Sequence, residues 1–304
     1  MFLIANSEKM QAINRVAARV APTNATVLIT GESGTGKNAL AEFIHAKSKR
    51  CASDFYKIDC AALPPDLLEA ELFGYERGAF TGATEAKPGR LESAHKSTLL
   101  LDEIALLPIE AQAKLLRVIE EREFERLGGR KTFKIDVRLL AATNVDLETA
   151  IERRKFREDL FFRLNVVRIE VPPLRERQAD ISALSDYFLR FFAAKHGFEN
   201  LVLAADVVEV LQKYEFPGNI RELSNLLERG VLTADGNKLT LKDFPPSIQR
   251  VSKESEKWLT LTELESRHVR ETLLLTGGNK AEAARLLGIS RKNLYERIAR
   301  NEKQ

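Results

Sequence analysis

Seven consecutive residues, Gly31-Glu32-Ser33-Gly34-Thr35-Gly36-Lys37, place three glycines and a lysine in the spacing G-x-x-x-x-G-K. Glycines let successive backbone N–H groups curl around an anion, a following helix N-terminus adds positive potential, and a lysine at the end supplies a point charge for outer phosphates. Asn38 comes next, where the general pattern has Ser or Thr to meet Mg²⁺. Its side-chain carbonyl is a weaker ligand, so the metal is expected to be held mainly elsewhere. Asp102 and Glu103 close an apolar stretch at 98–103, well downstream of Lys37. Two acids at the end of a buried strand are costly unless they have a task. Asp102 is expected to hold Mg²⁺, directly or through water, and Glu103 to polarise the water that attacks a phosphoanhydride. Together the two motifs read as a nucleotide hydrolase using ATP and Mg²⁺.

That chemistry requires a strand entering the loop and a helix leaving it. Residues 25–30 (ATVLIT) read as a short buried strand, and a helical stretch follows Lys37. Further strands are expected at 55–59, 98–103, 137–144 and 166–172, with helices over 63–74 and 111–121 between them. On the second helix Leu115, Leu116 and Ile119 share a side. Apolar strands alternating with helices predict an α/β fold whose parallel sheet is covered by helices on both faces. The expected α/β segment is 1–172. After it, 173–246 reads as a small all-α segment, with only helical stretches across 179–230. A linker follows at 247–258 and a final helical domain at 259–304.

The chain has 304 residues, 44% hydrophobic and 30% charged, enough apolar side chain for real cores and too much for a disordered chain. It lacks a run of 18 apolar residues, and its N-terminal MFLIANSEKM has neither a basic n-region nor a small-residue cleavage site. The expectation is a cytoplasmic protein with no membrane partner. Two cysteines nine apart and four scattered histidines write neither a disulfide framework nor a Cys/His metal site. The net charge of +3 is confined to residues 251–304, with 11 basic and 8 acidic side chains, while the first 250 residues are balanced. Seven basic and three acidic groups lie in 280–304.

Between the two phosphate motifs lies Glu71-Leu-Phe-Gly-Tyr-Glu-Arg-Gly78-Ala79-Phe80-Thr81-Gly82-Ala83. An exposed Phe in a glycine-rich loop suggests a contact tip. This stretch resembles the hallmark GAFTGA loop of the NtrC-type activators of sigma-54 RNA polymerase, which are AAA+ ATPases. The resemblance runs from VLITGESGTGK through FREDLFFRLNVV and FPGNIREL to GNKAEAARLLGISRKNLY. It implies a P-loop AAA+ sheet, a helical lid and a Fis-type helix-turn-helix domain. It also implies that Gly78, Ala79, Phe80, Thr81, Gly82 and Ala83 contact the sigma factor. By position, Asn144 (with Thr143) matches sensor I, Arg157 and Arg163 match arginine fingers reaching a neighbouring subunit's nucleotide, and Arg221 matches a sensor II arginine of the lid. On an ideal helix Arg157 and Arg163 would lie about 240° apart, so different roles are expected for them. The implied partners are sigma-54 holoenzyme, upstream enhancer DNA and further copies of the chain, in a ring of six or seven with paired DNA-binding domains.

Several positions depart from the family pattern. Asn38 replaces a usual Glu, and Asp59 replaces the Asn that partners the hydrolytic acid, so its carboxylate would alter how Glu103 is restrained. Ser97, Ala105, Val145 and Phe216 are the other replacements. The chain starts where the family's ATPase domain starts, which suggests either a piece of a longer protein or control by a separate one.

At the C-terminus, Thr262 to Glu265 fit a capping box, Asn279 fits a helix cap with Glu282 three residues on, and Ser290 fits another after the turn at Gly288. Leu286 and Leu287 are expected inward, as are Leu294 and Ile298. Two helices joined by a short Gly-containing turn form a helix-turn-helix pattern. Asn293 and Arg297 are assigned to bases, Arg291, Lys292 and Arg300 to phosphates, and Tyr295 to the same DNA-facing surface. Two other readings stay open. One is a different AAA+ machine such as a helicase loader; the other is a DNA-binding regulator that holds nucleotide only structurally, as Asn38 suggests.

Overall fold

The structure, a computed structural model, describes residues 4–198, 200–249, 265, 268, 269, 272, 276, 279–294 and 297. The chain divides into two compact units, 1–248 and 249–304.

In the first unit, α1 (Glu8–Val20) precedes β1 (Val27–Thr30) and α2 (Lys37–Ala46). Next come β2 (Phe55–Asp59), α3 (Pro65–Phe73), β3 (Gly74–Tyr75), β4 (Lys87–Pro88), α4 (Arg90–Ser93) and β5 (Thr98–Asp102). They are followed by α5 (Ile109–Glu121), β6 (Glu123–Glu125), β7 (Thr132–Lys134), β8 (Arg138–Thr143), α6 (Leu147–Glu152), α7 (Glu158–Leu164) and β9 (Val167–Glu170). Five strands form one parallel sheet in the order β2-β5-β8-β1-β9. The chain order reverses beside β1, which places its C-terminal end at the switch point where α/β sheets bind ligands.

Burial explains this order. The inner strands β5 and β8 are buried at every residue, and β1 at its first three. Continuous apolar runs suit a strand covered on both faces. One core holds Leu99, Leu101, Leu139 and Ala141 against Leu115 and Val118 of α5, with Leu116 and Ile119 partly buried beside it. The other holds Leu100, Leu140, Val27 and Ile29 against Leu40 and Ile44 of α2 and Ala17 of α1. The edge strands depart from the uniform apolar expectation: β2 and β9 each fully bury only one residue, Ile58 and Ile169. An edge has a neighbour on one side only, so polar side chains remain solvated there.

The C-terminal part of this unit comprises α8 (Ile181–His196), β10 (Val202–Leu203), α9 (Ala205–Lys213), α10 (Asn219–Thr233) and β11 (Lys238–Leu239). It is not purely helical, because β10 and β11 pair in a two-residue parallel ladder. Pro172 and Pro173 follow β9, the last strand of the sheet in chain order, and neither can donate a ladder hydrogen bond.

In the second unit, α11 (Lys280–Leu286) is capped by the Asn279 side chain, which accepts the Ala281 and Glu282 N–H groups. Gly288 at φ 66° makes the turn, and Ser290 Oγ accepts the Asn293 N–H at 3.2 Å as the helix at 291–294 begins. Ala283, Ala284, Val269 and Leu294 are buried together, with Leu287 and Ile289 packed on them. Leu286, expected inward, is 53% exposed, because the small alanines take the inner positions of this short helix. Thr262 and Ile298 lie outside the described residues.

Candidate functional site

The 31–37 loop joins β1 to α2 through glycines at φ 146° (Gly31), 77° (Gly34) and 99° (Gly36), which suit glycine alone. Gly34 also meets a packing limit: a Cβ there would lie 2.4 Å from the Gly218 carbonyl oxygen. Lys37 opens α2 and is almost wholly buried. Its ammonium donates to the Gly31 and Glu32 carbonyls at 2.9 and 3.1 Å and lies 3.7 Å from Glu103 Oε1. Burial lowers the Lys37 pKa, opposed by the charges of Glu103 and Asp102. Thr35 Oγ1 donates to the Glu32 carbonyl at 2.8 Å.

The two acids stand at the end of β5. Glu103 has a left-handed backbone, φ 53° and ψ 47°, an unusual geometry for a residue with a side chain. Its carboxylate accepts the Asn144 backbone N–H at 3.1 Å and faces Lys37. Asp59 accepts the Ala61 N–H at 2.9 Å, while Glu103 is held by Asn144 and Lys37. Asp102 is buried, and its Oδ2 receives Asn38 Nδ2 at 2.9 Å and the Lys57 ammonium at 3.0 Å. Asn38 thus turns its amide nitrogen to Asp102 and leaves its buried Oδ1 without a hydrogen-bond partner. Among the described residues no cluster of three or more His, Cys, Asp or Glu could hold a metal ion. A Mg²⁺ that keeps water and phosphate oxygens needs only one or two protein ligands, so Asp102 with the orphaned Asn38 oxygen fits it.

Asn144 is exposed at the end of β8 and lines a cavity of about 190 Å³ with Thr30, Gly31, Glu32, Thr143 and Arg168. Thr143 Oγ1 accepts the Val145 N–H at 3.0 Å. Arg221, on α10, donates to Ser33 Oγ at 2.9 Å and lines a second cavity of about 470 Å³ with Ser33 and Gly218. Neither Arg157 nor Arg163 lines these cavities. Arg157 is the extended cap residue before α7, not part of the helix, so the 240° separation does not describe the pair. It binds Asp159 through Nε and Nη2 at 3.0 and 2.7 Å, and Arg163 donates to Glu120 at 2.8 Å.

One part of the arrangement was not read from the sequence. Glu32 receives both guanidinium nitrogens of Arg175, at 2.7 and 3.0 Å, and Asn219 Nδ2 at 3.1 Å. Those bonds hold its carboxyl well below the usual range, at about 2. Asn219 also donates to the Ser33 carbonyl at 3.0 Å and accepts the Leu174 N–H at 2.8 Å, while the Ile220 N–H reaches the Gly34 carbonyl at 2.9 Å and Arg177 reaches the Thr35 carbonyl. Asn219 is fully buried at φ 53°, a conformation Asn tolerates better than most. The signal lay in FPGNIREL, where a Gly-Asn pair before a helix marks a special backbone. Phe216 is buried there at φ 47°, edge-on to Tyr214 at 5.0 Å.

The 78–83 loop is closed by Gly78 N–H to the Ala83 carbonyl at 2.8 Å and Ala83 N–H to the Phe80 carbonyl at 3.0 Å. Gly78 and Gly82 have φ 81° and 105°. Phe80 is 42% exposed, with its ring edge-on to Tyr75 at 4.9 Å; Ala79, Thr81 and Gly82 belong to the same closed tip. Beneath it lies the β6–β7 hairpin: the Glu76 N–H donates to the Leu127 carbonyl at 3.0 Å and the Leu127 N–H to the Gly74 carbonyl at 2.9 Å. Arg126 ties the hairpin to Glu92 at 2.7 Å and Glu76 at 3.1 Å.

Of the DNA-facing candidates, Arg291, Lys292 and Asn293 are exposed on the helix after the turn. Arg297 is paired with Glu265 at 2.7 Å, a contact within its own unit. Tyr295 and Arg300 lie outside the described residues.

A parallel sheet with this strand order, a glycine-lysine loop leaving β1, paired acids ending β5 and a helical segment fastened to that loop define an AAA+ P-loop ATPase. Residues 3–170 match the sigma-54 interaction domain, 175–259 the AAA+ ATPase lid domain, and 260–300 the bacterial regulatory protein, Fis family. The chain belongs to the sigma-54 interaction family, as a transcriptional activator with ATPase and DNA-binding domains. It is 43% identical over 307 residues to the regulatory protein AtoC of Escherichia coli K12, covering 97% of this chain and 67% of that one. It is 44% identical over 301 residues to the transcriptional regulatory protein ZraR of Salmonella typhimurium, covering 98% and 68%. The structure of NtrX from Brucella abortus in complex with ATP is similar, with TM-score 0.77 and 36% identity over 98% of this chain and 69% of that one. No helix among the described residues is long and apolar enough to cross a membrane.

Proposed function

We propose that the chain hydrolyses ATP to ADP and phosphate in a ring of like subunits bound to upstream DNA, and that the cycle remodels sigma-54 holoenzyme to open promoters. The observation that carries this reading is the meeting of Lys37, Asn38, Asp102 and Glu103 at the switch point of the sheet, with Asn144 holding Glu103. Residues 31–36 would wrap the phosphates through backbone N–H groups, Lys37 would balance their outer charge, and Arg221 would reach them from the lid. Asp102 and Asn38 would hold Mg²⁺, which supplies neutralisation of phosphate charge when bound. Glu103 would take a proton from the attacking water, its carboxylate aimed by the Asn144 N–H. Asn144 thereby couples the phosphate side of the site to β8. Arg157, half-buried, and Arg163, exposed, both outside the two cavities described above, would serve a neighbouring subunit. The 78–83 loop would contact the sigma factor through Phe80 and Thr81, and Arg291, Lys292 and Asn293 would face DNA.

Glu103→Gln should retain ATP binding and lose turnover by about 10²-fold or more, read as nucleotide affinity beside steady-state hydrolysis. Unchanged hydrolysis would refute the base assignment. Mixing Arg157→Ala subunits with Glu103→Gln subunits should restore hydrolysis at interfaces that pair an intact acid with an intact arginine. Strictly additive activities from the mixture would sink action between subunits.

A further inference from the structure

Lys57 has no assigned role, yet its ammonium lies 3.0 Å from Asp102 Oδ2. It stands on the edge strand β2, two residues before Asp59, where β2 and β5 pair Asp59 with Asp102. A lysine on an edge strand ordinarily points to water and discourages pairing with other chains. This one is only 38% exposed and turns toward a carboxylate that is itself 10% exposed. The same Oδ2 takes the Asn38 amide at 2.9 Å, so both donors load one oxygen of Asp102. Asp102 is thereby fixed in rotation with Oδ1 as its remaining acceptor, near an Asn38 oxygen that has no partner.

We propose that Lys57 is a positioning residue of the metal site that sets how tightly Asp102 holds a divalent cation. The proposal rests on the reading of Asp102 as the Mg²⁺ ligand. A positive charge on a ligand carboxylate repels an incoming dication and weakens its hold, by about three- to tenfold at this range in a solvated setting. Asn38 acts in the opposite direction, offering Oδ1 to the cation while its Nδ2 keeps Asp102 in place. Free divalent cation is thus held loosely, and cation arriving already bound to nucleotide phosphates gains the missing oxygens from that nucleotide. The charge on β2 therefore couples metal occupancy to nucleotide occupancy.

The test is Mn²⁺ binding to the full chain, read by electron paramagnetic resonance of the free ion, with and without ADP and with an ADP-only blank. Lys57→Met should tighten Mn²⁺ binding about three- to tenfold without ADP, and Lys57→Arg should stay close to the parent. Asn38→Ala should loosen it. Thermal melts of each variant establish that the fold is retained, which the partial exposure of Lys57 favours. Unchanged or looser binding in Lys57→Met, while Asp102→Asn loses Mn²⁺, overturns the role of Lys57 alone. If Asp102→Asn binds Mn²⁺ as the parent does, the metal reading and the proposal both fail.

Discussion

Asn219 makes three hydrogen bonds from a buried, left-handed position, to Glu32, the Ser33 carbonyl and the Leu174 N–H. Asn219→Ala would leave the Leu174 donor and Ser33 acceptor unpaired and put a Cβ without a local hydrogen bond at φ 53°. The expected loss is about 2–4 kcal/mol of stability, measured by denaturant unfolding of the ATPase unit. Glu32 supplies a pH signature in the same cluster. Its folded pKa is about 2 against an ordinary 4.5, so its pairing contributes fully above 4.5 and is lost as pH falls toward 2. At this scale the sequence was informative where spacing carries the chemistry: Lys37, Asp102 and Glu103 come together as their motifs implied. It was silent on Arg175, Arg177 and Lys57, because a surface-type charge gains its partner only when distant segments fold together. Arg175 and Glu32 are 143 residues apart.

At the scale of elements, the β6–β7 hairpin acts as the seat of the 78–83 loop. A Cβ on Gly128, already at φ 71°, would press within 2.9 Å of both Ala79 Cα and Cβ. Gly128→Ala should displace the loop from its seat, leave basal ATP hydrolysis near the parent value and impair open-complex formation. A promoter-opening assay at saturating ATP checks this; full activation would mean the contact is incidental. The inner strands β5 and β8 were legible because buried parallel strands announce themselves as apolar runs; the edge strand β2 matches 55–59 residue for residue on its aromatic and β-branched residues. The β10–β11 ladder was not, since two residues carry no period. The cap position of Arg157 was hidden too: FREDLFFRL reads as continuous helix, but Arg157 donates its backbone N–H to Gln112 Oε1 at 2.8 Å, outside any helical ladder.

For the whole molecule, a balanced ATPase unit and a small basic one follow different electrostatic rules. Arg291 and Lys292 are the exposed basic side chains among the described residues of the final helix, and as the proposed phosphate contacts they would set the salt dependence of DNA binding. Replacing either by Ala should lower the slope of log affinity against log salt by about one for a single reader, measured across salt concentrations. An unchanged slope would place the phosphate contacts elsewhere.

The fastening of the phosphate loop to FPGNIREL also bears on how such proteins can be recombined. A fragment cut at Pro172 would strip Glu32 of Arg175 and leave the carbonyls of Ser33, Gly34 and Thr35 without Asn219, Ile220 and Arg177. A lid grafted from a relative would serve only if its side chains and a helix-start backbone N–H met those same three carbonyls. The composition break after β9 therefore marks a change of element type and not a joint at which the phosphate loop can be separated from its support.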